Sequence, residues 1–284
     1  MTMALHAELT PGSLRILRPG HTAPLLTQSA QPDKRPYIHP ILAPDGIGAL
    51  TENEPGHHLW QHGLYTGLND VNGAGFWTEG LHKDNVATDG SFHPRAFGAP
   101  RVDGTRVFWD VDCEWRSPQG GKLLEETQSW RFEDHESYFL LDLTWTLVAR
   151  TDVAFGQYAY GGLFLRMPFR EGCGGAALDS EGRTNSACEA QRARWVSISM
   201  AIPGREKLPT RECGIALFDH PANPEHPVPW RVDGQLGVAP STCIAGAWKL
   251  ERNEQARFWH RLFIFLGRGE PKRIEAEWQR FANS

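Results

Sequence analysis

RVFWDVDCEWR, residues 106–116, alternates strictly: Val107, Trp109, Val111, Cys113 and Trp115 share one face, and Asp110, Asp112 and Glu114 the other. A period of two sends successive side chains to opposite faces of an extended chain, so this is a strand with one face on a core and one in water. Residues 138–149 repeat the pattern, with Phe139, Leu141, Leu143, Trp145 and Leu147 set against Asp142, Thr144 and Thr146. Between them, 122–132 alternates Leu124, Trp130 and Phe132 after the turn signal Pro118-Gln119-Gly120-Gly121, which predicts a three-stranded antiparallel meander.

Working outward, strands are expected at 161–167, 195–201, 214–219 and 258–266. One helix is expected at 271–281, where a proline near the first turn precedes Ile274, Trp278 and Phe281 at helical spacing, and it is predicted to cap a sheet edge or barrel end. Many strands without alternating helices exclude doubly wound and (β/α)8 folds and predict an all-β sandwich or barrel. The reading is a single domain over 1–284, with N-terminal strands or an extension at 1–34 and a polar, Gly-rich loop at 172–194 expected to lie over the site.

A composition of 40% hydrophobic and 22% charged residues is that of a globular chain able to bury a core. A net charge of -5 with no Lys/Arg run argues against nucleic acid, which needs clustered cations. No stretch approaches the roughly 20 apolar residues of a membrane span, and the N-terminus lacks an export pattern, so a cytoplasmic location is expected. Five cysteines, odd in number and without a Cys-x-x-Cys pair, read as reduced thiols serving mostly in packing.

Histidines gather in the first third of the chain: His39, His57, His58, His62, His82 and His93. His58 and His62 are four apart, which brings two imidazoles to one side of either a helix or a strand. Three chemistries compete for this cluster. The histidines tie a polar loop to the sheet, or they act as acid and base near neutrality with Asp70 or Glu79 as carboxylate partner. In the third, His57, His58 and His62 hold a divalent metal with a carboxylate. The amide and carboxylate groups of 69–73 beside Trp60, Tyr65, Phe76 and Trp77 mix polar partners for hydroxyls with aromatic faces for a sugar ring, although Asn72-Gly73 by itself signals a tight turn. Asp219 and His220 close a strand before a proline-stiffened loop, and adjacency lets at most one of them face a site. Arg166 sits in an apolar strand, where its charge must be paired or line a cavity.

Five segments are familiar together: RPYIHPILAPDG (35–46), GHHLWQHGLYTGLNDVNGAGFW (56–77), RARWVSIS (192–199), GIALFDHPANPEHPVPW (214–230) and LFIFLGRGE (262–270). They resemble the PmoA-like family of bacterial proteins, and the resemblance implies a β-supersandwich similar to galactose mutarotase. Relatives often carry a denser His-Pro-His-His-Arg run where Leu59-Trp60-Gln61 stands here. A methane monooxygenase subunit would need transmembrane helices, so the family's name is not taken as its function. The resemblance implies a histidine acid and a carboxylate base acting on a sugar ring, with His62 as acid and Asp70, Glu79 or Asp219 as base. The resulting expectation is a carbohydrate epimerase, isomerase or lyase without cofactor. His58 and His62 do the proton chemistry, Arg35, His39, Asn72, Trp77, Arg166 and His220 bind substrate, and Trp230 packs nearby. A non-catalytic carbohydrate-binding protein and a His-ligated metalloenzyme are the alternatives.

Overall fold

The computed structural model of the protein describes residues 4–284. The meander is present: Arg106–Arg116, Lys122–Asp134 and Tyr138–Ala149 pair antiparallel in sequence order, and Gln255–Leu266 joins the free side of the third. They are the centre of a nine-stranded sheet that continues through Glu212–Asp219, Trp195–Ala201 and Ala176–Asp179 on one side and Ser91–Pro94 on the other, with Arg101–Asp103 also paired to Arg106–Arg116. An eleven-stranded sheet packs against it. Its main path runs His6–Thr10, Ser13–Leu17, Leu26–Ser29, Tyr37–Ile41, Leu64–Val71, Gly162–Leu165, Val238–Pro240, Trp230–Val232, every pair antiparallel. The fold is the expected all-β supersandwich. The strands expected within 1–34 form one edge of the larger sheet, residues 1–3 of that stretch lying outside the described ones.

One continuous core joins the inner faces of both sheets, and Phe76 of the larger stacks on Trp115 of the smaller with ring centroids 4.9 Å apart. The inward row of Lys122–Asp134 is more polar than its aromatic members suggest, because Glu126 and Gln128 stand in it, each 1% exposed. The Glu126 carboxylate accepts from Thr66 Oγ1 (2.6 Å), Trp145 Nε1 (2.7 Å), Gln128 Nε2 (2.9 Å) and Trp115 Nε1 (3.0 Å). Four donors from both sheets compensate a group whose burial would otherwise be costly.

The helix Pro271–Ala282 covers the outer face of the smaller sheet and does not cap an edge as expected. Ile274 and Phe281 pack on Leu140, Phe218, Phe263 and Phe265, which point away from the core and need a cover of their own. The segment 172–194 also departs from expectation. It contributes the edge strand Ala176–Asp179 and the 3-10 turn Asn185–Cys188, and Asp179 holds its turn by accepting from Glu181 N, Arg183 N and Arg183 Nε. All five cysteines are free, four of them buried. Among the described residues no helix is long and apolar enough to cross a membrane.

Strand alternation also builds the face on which the site lies. Leu64, Thr66 and Leu68 point inward, so Tyr65 points outward, and the register sets Tyr37 and Phe164 beside it on the flanking strands. Tyr65, Trp77, Phe164 and Ala239 form a separate aromatic cluster on that outer face, with Tyr37, Trp60 and Tyr160 packed against it. Gly67 permits the close approach of Trp77: a Cβ there would stand 3.1 Å from the indole and 2.7 Å from the Phe76 carbonyl oxygen.

Candidate functional site

On this aromatic face lies a cleft of about 230 Å³. Trp77, Tyr160 and Phe164 supply apolar walls, Trp77 lying 4.8 Å from Tyr160 and 5.3 Å from Phe164 between ring centroids. His58, Trp60 and His82 line it as a run of edge-to-face rings, 5.0 Å and 5.4 Å apart. Gln61, Thr78, Asn85, Arg231 and Asp233 add polar groups. Neither ring nitrogen of His58 has a hydrogen-bond partner among the described residues, and Nδ1 is enclosed. Burial, then the neighbouring His57 and Arg166, lower its imidazole below the ordinary histidine value of 6.5 against the pull of Asp233. It is therefore a neutral base at neutral pH. Asp233 uses Oδ1 to accept from Gln235 N and Gly237 N, both at 2.8 Å, which aims the carboxylate from a tight turn.

His62 does not open onto this cleft, which corrects its expected role as the free acid. It is 3% exposed, with Nδ1 2.9 Å from Asn53 Oδ1, Nε2 3.0 Å from Glu79 Oε2, and its ring stacked on Tyr37. The other Glu79 oxygen accepts from Arg35 N (3.1 Å) and Arg35 Nε (3.0 Å), and Arg35 also donates to the Trp77 carbonyl oxygen. Burial raises the Glu79 carboxyl, and Arg35 and His62 outweigh it, so the group stays ionised. Glu79 has φ +52°, a conformation costing about 1–2 kcal/mol for a residue with a side chain, which these contacts offset. His62, Glu79 and Arg35 thus form a brace under Trp77. The carboxylate and arginine expected to touch substrate hold the cleft's wall in place.

Arg166, 1% exposed, projects from the same outer face toward a neighbouring hollow of about 600 Å³ lined by Glu52, His57 and Gln235 among others. Its Nη2 donates to Gln235 Oε1 at 2.6 Å, its Nε lies 3.6 Å from Glu52 Oε2, and Nη1 and Nε have no hydrogen-bond partner. His57 and Asp233–Gln235 form the ridge between the two hollows.

Several other expected residues are not brought to the cleft. Asn72 is exposed and clamps a turn, donating to Asp152 O (2.9 Å) and accepting from Ala154 N (2.8 Å), and Asp70 in the same turn accepts from Gly73 N. His39 bonds Thr51 Oγ1 at 2.9 Å and lies off the cleft's lining. Asp219 is buried in the smaller sheet, His220 packs its ring on Phe281, and Trp230 is a core residue donating to Ala193 O. The metal-binding alternative meets the same geometry: His57 Nε2 contacts Gln235, His62 is closed between Asn53 and Glu79, and among the described residues no three His, Cys, Asp or Glu side chains are grouped to hold an ion. Trp60 and His82, both singled out in the sequence, line the cleft; Asn85, Tyr160, Phe164, Arg231 and Asp233 also line it and were not expected. His82 lies in the histidine-rich third and Trp60 inside the motif already singled out. For Arg231 and Asp233 the available signal was alternation with the inward Val232.

Among solved structures, the chain is similar to an α-galactosidase from Lactobacillus brevis, with a TM-score of 0.38 and 9% identity over 91% of this chain and 39% of that one. The Slr1438 protein from Synechocystis sp. PCC 6803 gives 0.34 and 10% over 93% of this chain and 98% of that one. The GH36 α-galactosidase AgaB from Geobacillus stearothermophilus gives 0.33 and 8% over 92% and 41%. The chain spans about two fifths of the length of the two galactosidases. No curated protein matches its sequence. The PmoA-like affiliation remains a resemblance; across residues 21–279 the sequence matches, and the chain belongs to, a family of unknown function (DUF6807).

Proposed function

We propose that the cleft binds a small polyhydroxylated molecule, a sugar or sugar derivative, and moves protons on it, as an epimerase, isomerase or lyase does. The observation that carries this reading is His58, a neutral imidazole without a hydrogen-bond partner in a cleft that also presents the Asp233 carboxylate and the rings of Trp60 and Trp77. Aromatic faces suit the apolar side of a pyranose, and the amides, Arg231 and Asp233 suit its hydroxyls. In the proposed step His58 accepts a proton from the substrate and the resulting imidazolium returns one, with Asp233 stabilising that cation. The proton transfers need no cofactor. His62, Glu79 and Arg35 act as positioning residues through Trp77.

The test is a thermal-shift screen of hexoses, pentoses and sugar acids, followed by proton NMR of each binder in D2O, because a ligand raises apparent stability by mass action and proton abstraction from carbon exchanges deuterium into the sugar. The expected outcome is a sugar-dependent shift and exchange that His58→Ala abolishes. No shift with any sugar sinks the reading, and binding without turnover would make this a carbohydrate-binding protein.

A further inference from the structure

Seven large hydrophobic side chains among the described residues are at least 39% exposed, and four of them stand beside residues that line the cleft. Leu59 (49%) lies between His58 and Trp60, Leu81 (52%) precedes His82, Val86 (65%) follows Asn85, and the ring of Tyr158 (39%) lies 4.8 Å from Tyr160. Apolar residues scattered singly over a surface need no explanation, whereas a concentration around the mouth of a polar cleft does. Side-chain contacts connect their neighbours: Trp60 meets His82 edge-on, and His82 Nδ1 lies 3.0 Å from Asn85 Oδ1, so the residues adjoining Leu59, Leu81 and Val86 belong to one linked run. Tyr158 reaches Trp77 through Tyr160.

The size of the cleft adds the second step. At about 230 Å³ it falls below the roughly 300 Å³ at which sites for larger ligands begin. A molecule larger than one sugar-sized ring must extend out of it, and the exposed positions next in sequence or in contact with its lining include Leu59, Leu81, Val86 and Tyr158. A second copy of the chain seated on the same residues would close the cleft to substrate.

We propose, resting on the sugar-site reading above, that the substrate is amphipathic: a hydroxylated ring in the cleft, joined to an apolar or aromatic substituent that lies across Leu59, Leu81, Val86 and Tyr158. The experiment is calorimetric titration of the full chain with methyl and phenyl glycosides of the same sugar, over glucose, galactose, mannose and xylose. The phenyl member of a binding pair is expected to bind about tenfold tighter, the scale of burying one ring's partial area. In Leu81→Ser/Val86→Ser, whose positions are exposed and in turns, the phenyl-to-methyl ratio is expected to fall toward one. Equal affinities in the wild-type chain, or a ratio untouched by the double substitution, overturn the proposal while leaving the sugar site standing. If no glycoside of either kind binds, the sugar-site reading fails with it. Sedimentation showing a wild-type dimer that the double substitution dissociates would assign the patch to a second copy and overturn it as well.

Discussion

The corner around Asp219 and the cleft around His58 are built from the same kinds of side chain: histidine, carboxylate, amide and tryptophan. At the corner the Asp219 carboxylate and the Asn223 amide find their partners inside the protein. Asp219 accepts from Asn223 Nδ2 and contacts His226 Nδ1, both at 2.7 Å, and accepts from Val228 N at 3.2 Å, while Asn223 clamps both backbone groups of Trp259. Trp278 of the C-terminal helix donates to the Asp219 carbonyl oxygen. On the cleft's lining His58 Nδ1 and Gln61 Oε1 are enclosed without partners among the described residues, as are Tyr65 Oη of the aromatic cluster and Arg166 Nη1 toward the neighbouring hollow. Burial pushes the Tyr65 phenol far up, so it is a donor with no acceptor. Buried polar groups in native proteins are almost always paired, so the unpaired set supports the proposed ligand site, and the paired set at Asp219 acts as a rivet.

The largest effect should come from breaking the rivet. Asp219→Ala strands Asn223, His226 and the Val228 amide in a buried corner, and a loss of about 3 kcal/mol in chemical denaturation is expected, with sugar affinity of the folded protein unchanged. A cost below about 1 kcal/mol would mean the Asp219 side chain is not what fastens residues 223–228 to the sheet. His58→Ala is expected to do the opposite, cutting turnover about 100-fold while stability moves by no more than about 0.5 kcal/mol. A large stability loss there would make His58 a structural residue and erase the contrast.

The two regions should also separate with pH. Burial lowers the His260 imidazole, which lies against Phe218 O and near Asp219 and His220, and burial likewise lowers His39 beside Glu52 and His62. An unfolded chain therefore binds protons that the folded one refuses, and stability is full above 6.5 and declines as pH falls through that value. Glu79 has the other sign of partner: Arg35 and His62 hold it below 4.5, so its contribution persists above 4.5 and is lost only as pH falls further, through its folded-state value. Denaturation midpoints against pH should show two successive losses, with His260→Asn reducing the first and Glu79→Gln reducing the second, the rest of each coming from the other lowered histidines and carboxylates. A single loss below 4.5 would show that the buried histidines are not held neutral.

How much of this was legible in the sequence follows from which features are local. Strand alternation depends on neighbours two residues apart, so the meander and the all-β class were readable. The interior Glu126 was not, because its donors are spread over four strands, Thr66 standing 60 residues away, and an acidic residue in an alternating run reads as solvent-facing. The histidine cluster was found, yet the resemblance put His62 ahead of His58 as the acid. What separates them is that Asn53, Glu79 and Tyr37 close around His62, contacts made only by the tertiary fold. Asp219 was misread for the same reason, since a carboxylate beside a histidine looks catalytic until Asn223 and Val228 are seen to occupy it.

The smallest expected effect tests the turn that looked most like a sugar site. Asn72 has φ +53°, and its amide bridges Asp152 O and Ala154 N at the surface. Asn72→Gly keeps the left-handed backbone free of strain and removes both side-chain bonds, so about 1 kcal/mol of stability should be lost, because exposed hydrogen bonds exchange readily with water. Ligand affinity should be unaffected, since the groups Asn72 holds are backbone atoms of a turn outside the cleft's lining. A tenfold loss of sugar affinity in Asn72→Gly would return this turn to the site and shift the cleft's boundary toward residues 69–73. Unchanged affinity would show that an amide with both partners inside the protein has nothing left to offer a ligand, the rule that distinguishes the Asp219 corner from the His58 cleft.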